Sequence, residues 1–177
     1  AYIDGFSLNI KKPFEHFSFD QQITRLKKSR LLLKVMQKFA AFDLHPEVVS
    51  NTEMGYIFEE LIRKFSEQSN ETAGEHFTPR EVIELMVRLL FAPDRTQLAN
   101  GSVTRSLFDP ACGTGGMLTV ASRHLAKLNN KARLDVFGQE LNPESYAICA
   151  SDLVLKGHDP KSARHGNSFI NCLLYTS

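Results

Sequence analysis

The sequence predicts an α/β fold with a parallel sheet, preceded by a purely helical segment, and three observations carry that prediction. From Arg105 to Met117 the chain reads as a short apolar strand (Leu107, Phe108), an acid at its end (Asp109), a turn of small residues (Pro110 to Gly116) and then a helix. From Leu134 to Glu140 a second strand alternates in polarity and also ends in an acid. Strand, helix and strand in that order imply a parallel pair joined by a right-handed crossover, the unit of doubly wound sheets. Before about residue 70, by contrast, apolar residues recur at helical spacing.

Residues 1 to 18 carry Phe6, Phe14, Phe17 and Pro13 without a clear period and read as a loop or ragged helix. From Asp20, an N-cap by its chemistry, Ile23, Leu26, Leu31, Leu33, Val35, Met36, Phe39 and Phe42 predict one amphipathic helix ending near Asp43. Its interleaved lysines could touch DNA phosphates, but a solvated face is the ordinary reading of such a pattern. Met54, Ile57, Phe58, Leu61, Ile62 and Phe65 predict a second helix from Thr52 to Ser66, capped by Ser50 or Asn51. The polar run from Ser66 to Gly74 is a linker, and it places a domain boundary near residue 70.

Thr78, with Pro79 next and Glu81 three residues on, has the pattern of a capping box that starts a helix running to Phe91. Ala92 to Thr104 reads as a surface connection. Met117, Leu118, Val120, Ala121, Leu125 and Leu128 form the helix after the glycine turn. Asn142 followed by Pro143 opens another, with Ala147, Ile148, Ala150, Leu153, Val154 and Leu155 inward and Gly157 as its stop. Lys161 to His165 is a third strand, and Gly166-Asn167-Ser168-Phe169 a turn beyond it.

The glycine turn is where chemistry is expected. Gly113, Gly115 and Gly116 lack the Cβ atoms that would hold a ligand off the backbone, and the free N–H groups of the following helix favour an anionic group. The spacing is neither that of dinucleotide folds nor that of a phosphate-binding P-loop, so from spacing alone a ligand site and a structural turn both stand. Glu140, at the end of the second strand, is placed to accept hydrogen bonds from both hydroxyls of a ribose, against the plainer reading of an exposed carboxylate. Leu141 would then lie against the base. Cys112 lies in the turn without a histidine placed by sequence to activate it, which argues against a nucleophile.

Composition sets the outer bounds. The 177 residues, 42% hydrophobic and 23% charged, suffice for one domain with a helical appendage. A net charge of +1 gives no bulk electrostatic case for nucleic acid. Three cysteines without a Cys-x-x-Cys pair fit a reducing cytoplasm and offer no zinc site. The sequence has no apolar run long enough to span a membrane.

Asp109-Pro-Ala-Cys-Gly-Thr-Gly-Gly116 resembles the S-adenosylmethionine loop of N6-adenine DNA methyltransferases, most closely the modification subunit of type I restriction-modification systems. Gly74-Glu-His-Phe-Thr-Pro-Arg-Glu-Val82 upstream and Gly138-Gln-Glu-Leu-Asn-Pro-Glu-Ser-Tyr-Ala147 downstream extend the likeness over roughly residues 50 to 168. The resemblance implies a Rossmann-like S-adenosylmethionine-dependent methyltransferase fold. Residues 1–70 would be a helical segment, and residues 71–177 the first part of the cofactor domain with a partial sheet. It implies Asp109, Ala111, Gly113, Thr114 and Gly115 around the methionine moiety, Phe77 and Thr78 folded over the loop, Glu140 on the ribose, and Asn167 near the adenine, with Phe169 a weaker stacking candidate. His76 stands where relatives more often carry Tyr or Phe and receives no role. DNA, a specificity subunit and a restriction subunit are the implied partners, in the cytoplasm.

The family completes its site with Asn or Asp, then Pro-Pro, then Phe or Tyr, which accept the amine's hydrogens and stack on the flipped base. This sequence has no such run: Asn142-Pro143-Glu144 and Asp109-Pro110-Ala111 lack the second proline and the aromatic. The expectation is therefore a fragment that holds the cofactor half, has an unpaired sheet edge and transfers no methyl group alone. The lack of a first Met points the same way, and residues 171–177 fit the pattern poorly, which leaves open whether they are native. Two rivals stand beside this reading: a methyltransferase with another substrate, and a non-catalytic assembly module.

Overall fold

The computed structural model describes residues 5–68 and 78–172. In chain order the elements are α1 (Leu8–His16), α2 (Phe19–Lys28), α3 (Leu32–Ala40), α4 (Asn51–Gln68), α5 (Arg80–Phe91), α6 (Arg95–Leu98), β1 (Thr104–Asp109), α7 (Gly116–Leu128), β2 (Arg133–Glu140), α8 (Pro143–Leu155) and β3 (Ala163–His165), the last preceded by a 3-10 turn, Pro160–Ser162. The strands form a parallel sheet in the order β1-β2-β3. The predicted strand, glycine turn, helix and strand are therefore all present, with the third strand shortened to Ala163–His165.

The segment expected as one helix from Asp20 is two. The break is a helix-ending turn in which Leu31 N–H donates to Leu26 O at 2.9 Å and Arg30 N–H to Lys27 O at 3.0 Å, with Arg30 at φ 56°. This paired hydrogen-bond closure normally uses glycine. A non-glycine residue in it hides the break from a reading by composition. The helix also begins one residue before Asp20, which sits in its first turn. The start of α4 follows expectation more closely: Glu53 accepts from Ser50 N–H at 2.9 Å and Ser50 Oγ at 2.7 Å, and Ser50 Oγ accepts from Glu53 N–H at 3.3 Å. This reciprocal box selects Ser50 over Asn51.

The box predicted at Thr78 does not form. Pro79, at ψ 140°, is itself the cap residue, and its carbonyl accepts from Val82 and Ile83 N–H at 3.0 and 3.1 Å. The helix thus starts one residue later than the pattern suggests, at a cap residue with no side-chain oxygen.

The connection expected between residues 92 and 104 contains the one-turn α6. Leu98 is 1% exposed, and Asn129 Nδ2 donates to Leu98 O at 2.9 Å and to Gly101 O at 2.8 Å, which fastens the entry to β1 onto the end of α7. Truncating Leu98 to Ala leaves a cavity that this pinned loop cannot close. A loss of about 2–5 kcal/mol in unfolding free energy is expected from chemical denaturation.

The core lies between the sheet and α5, α7 and α8, with Val87, Leu118, Leu125, Val136, Cys149 and Leu153 among its buried members. Asp152, buried on α8, accepts from Thr119 Oγ1 at 2.8 Å and from Lys156 Nζ at 2.6 Å, which ties α8 to α7. The helical segment docks on α8 through α1 and α4. His16 stands edge-on to Tyr146 at 5.0 Å and 4.8 Å from His165.

His16, His124 and His158 are all held below the usual histidine range, each first by burial and then by neighbouring positive charge. Unfolded histidines near pKa 6.5 bind protons that these folded ones refuse, so the unfolded state holds more protons in that window. Stability is therefore expected to fall as pH is lowered through 6.5. Thermal unfolding midpoints at pH 7.5 and 5.5 test this, and His16→Phe should reduce the difference.

Candidate cofactor site

The register builds the site. Asp109 at the end of β1 pairs with Gly138, so β2 continues two residues further and carries Glu140 past the end of β1. The turn between β1 and α7 folds back toward this extension, with Cys112 N–H donating to Gln139 O at 3.0 Å. Glu140 then clamps two chain segments: Oε2 accepts from Gly113 N–H at 2.8 Å and Oε1 from Asn142 N–H at 2.7 Å. Each carboxylate oxygen has two lone pairs, so each retains one for a further donor.

Asp109 is half-buried, and its Oδ1 accepts from Ala111 N–H at 3.1 Å. Burial pushes its carboxyl above the usual carboxylate range, and the charge of Glu140 adds to the shift. Two acids thus face one glycine turn and make the mouth of the site electronegative.

The turn's shape needs its glycines in two places. Gly113 has φ +54°, and a Cβ built on it meets nothing within 4 Å, so the space above it is open. Gly115 has φ +86°, and a Cβ there would lie 2.8 Å from Cys149 Sγ. The first glycine leaves room for a ligand; the second lets α7 close onto α8.

Thr114 faces another way. It lines a cleft shared with α4, α5, α7 and α8, together with Glu59, Arg80, Thr119 and Asp152. Asn167 is held in a turn by its own Oδ1, which accepts from Phe169 N–H at 2.9 Å. That turn is fastened to the glycine turn by Ser168 Oγ donating to Pro110 O, and to β2 by Gln139 Nε2 donating to Asn171 O at 2.8 Å. The segment therefore sits beside the glycine turn. Phe169 is fully exposed. Leu141, which follows Glu140, is exposed.

Thr78 is exposed immediately before α5, whose Ile83 packs so closely on Gly116 that a Cβ there would come within 2.8 Å of it. This contact brings the start of α5 to the start of α7. Phe77 and His76 lie outside the described residues. The hydrogen bond from Cys112 to Cys149 at 3.7 Å, together with burial, pushes the Cys112 thiol far above the ordinary thiol range, so no thiolate is available for nucleophilic chemistry.

The sequence reading missed the structural duty of Glu140 and the roles of Cys149, Ser168 and the backbone of Asn142. The one signal for Cys149 is its small size, with α8 lacking bulk where Gly115 approaches.

A parallel α/β domain, a glycine turn after its first strand and an acid closing its second define a nucleotide-type cofactor domain. The chain belongs to the N-6 DNA Methylase family, whose model matches residues 49–174.

Among curated relatives it is 28% identical to the type I restriction enzyme EcoEI methylase subunit of Escherichia coli, over 85% of this chain and 30% of that protein. It is 29% identical to the MjaIX methylase subunit of Methanocaldococcus jannaschii, over 70% of this chain and 20% of that one. The type I restriction-modification methyltransferase subunit of Streptococcus thermophilus superposes with a TM-score of 0.59 at 26% identity, covering 78% of this chain and 28% of that chain. A structure from Listeria monocytogenes, described as a putative class I S-adenosylmethionine-dependent methyltransferase, shares the fold with a TM-score of 0.62 at 20% identity, over 84% and 43% of the two chains. The chain thus spans less than a third of the length of these curated relatives.

Proposed function

We propose that this chain is the cofactor-binding part of a type I restriction-modification methylase subunit that uses S-adenosylmethionine to methylate adenine N6 in DNA. The observation that carries the reading is the pair of carboxylates, Asp109 and Glu140, on either side of an open glycine turn. An electronegative mouth suits a ligand with a sulfonium and an ammonium, and it repels the pyrophosphate of a dinucleotide. When bound, the cofactor supplies an electrophilic methyl group on sulfur.

The chain's own residues bind and orient it. Glu140 accepts from the ribose hydroxyls with the lone pairs left free by Gly113 and Asn142. Asp109 and the backbone of Ala111, Gly113, Thr114 and Gly115 border the methionine end. Thr78 borders the turn, Asn167 lies toward the adenine, and Leu141 gives the base an apolar surface. Residues 1–70 form the helical assembly segment and 71–177 the cofactor segment. The partners are DNA and the specificity and restriction subunits of the complex, in the cytoplasm. Among the described residues no helix is long and apolar enough to cross a membrane.

The sequence carries no Asn/Asp-Pro-Pro-aromatic run. Cofactor binding without methyl transfer by this chain alone is the consequence. Calorimetric titration with S-adenosylmethionine, and with NAD as control, tests the reading. Saturable heat with the first alone supports it, whereas binding of NAD in its place would refute it.

A further inference from the structure

We propose that the groove between α5 and α7 is a docking site for an acidic amphipathic helix of a partner subunit. The groove has a volume of about 100 Å³ and is lined by Glu84, Arg88, Arg123, His124 and Lys127 along with apolar side chains. Its single carboxylate, Glu84, is already 3.4 Å from Arg80. Arg123 Nη2 is buried there and has no hydrogen-bond acceptor. His124, stacked on Phe91 at 5.7 Å, is held below the usual histidine range by burial and by Arg88 and Arg95. The pocket therefore wants an oxyanion.

The surface beside it decides which kind. Val82, Leu85, Met86 and Leu89 recur at helical spacing on α5 and are exposed, Leu89 by 64%, while Ile83, Val87 and Phe91 on the other side are buried. A helix apolar on both sides is ordinarily covered on both. A DNA backbone would meet the arginines but leave the leucines in water. Arg123 and Lys127 also lie seven and eleven residues beyond Gly116, about 10 and 16 Å along α7 from the glycine turn. An amphipathic helix with carboxylates along its rim satisfies both features through the helix-in-groove mode.

The proposal rests on reading the chain as one subunit of a complex, so cofactor binding is measured on the same samples to separate the two ideas. The probe is a fluorescein-labelled helical peptide of roughly 18 residues with Leu at helical spacing and Glu between, followed by anisotropy with the full chain. Controls carry Ser for Leu or Lys for Glu, and a short DNA duplex is tested in parallel. Saturable binding of the Leu/Glu peptide is expected, weakened about tenfold or more by Arg88→Glu and again by Leu89→Ser. The His124 ring titration should move upward when the peptide is bound, and Arg123→Gln should lessen that movement. All three variants should retain the wild-type unfolding midpoint and cofactor titration. Failure of the peptide to bind, or duplex binding that depends on Arg88 and is untouched by Leu89→Ser, would overturn the assignment.

Discussion

Glu140→Ala is expected to weaken S-adenosylmethionine binding by about a hundredfold or more, because on the role proposed for Glu140 the change removes two charge-assisted hydrogen bonds to the ribose at about 1.5–3 kcal/mol each. The same side chain holds Gly113 N–H at 2.8 Å and Asn142 N–H at 2.7 Å, so its loss also frees the glycine turn from the start of α8. Glu140→Gln separates these duties. An amide keeps one acceptor oxygen, but its NH₂ must face one of the two backbone N–H groups that the carboxylate now satisfies. Glutamine should therefore restore only part of the affinity. Calorimetry on the three proteins, with circular dichroism to check folding, gives the ranking: wild type, then Gln, then Ala.

Gly115→Ala should cost more in stability than any other single methyl added to the turn. The backbone there has φ +86°, and the new Cβ would lie 2.8 Å from Cys149 Sγ, 3.5 Å from its Cβ and 3.7 Å from its Cα. Left-handed backbone costs an alanine about 1–2 kcal/mol, and overpacking of a core site adds about 1–3. A fall of roughly 5–15 °C in the unfolding midpoint follows for a chain of this size. Adding Cys149→Ala removes the sulfur and should recover the steric part alone, because the strained φ remains. A full recovery in the double variant would show that the backbone conformation is not a source of strain.

These two residues show what the sequence makes legible. The glycines and the terminal acids of both strands announce themselves, since few other residue types can turn a chain at positive φ or accept several hydrogen bonds at once. The alternation in β2 and the Asn142-Pro143 start of α8 were equally readable, and Asn142 Oδ1 does accept from Ser145 N–H at 2.9 Å. That Glu140 also braces the turn depends on the register of β1 against β2, which no local pattern encodes.

The misses share a cause. The break between α2 and α3 uses Arg30 at positive φ where composition would look for glycine. The start of α5 moves by one residue because Pro79 adopts an extended ψ. Helical periodicity likewise predicts a buried stripe on α3, yet Leu33, Met36 and Phe39 are exposed. Periodicity states which side chains share a face, and only packing decides what that face meets.

A crystal structure of the chain with S-adenosylhomocysteine tests the central claim most directly. The ribose hydroxyls should lie about 2.5–3.0 Å from the two Glu140 oxygens, with the sulfur and ammonium above the turn between Asp109 and Gly115 and the adenine against Leu141. A ligand bound elsewhere, or bound here with its ribose turned away from Glu140, would contradict the account.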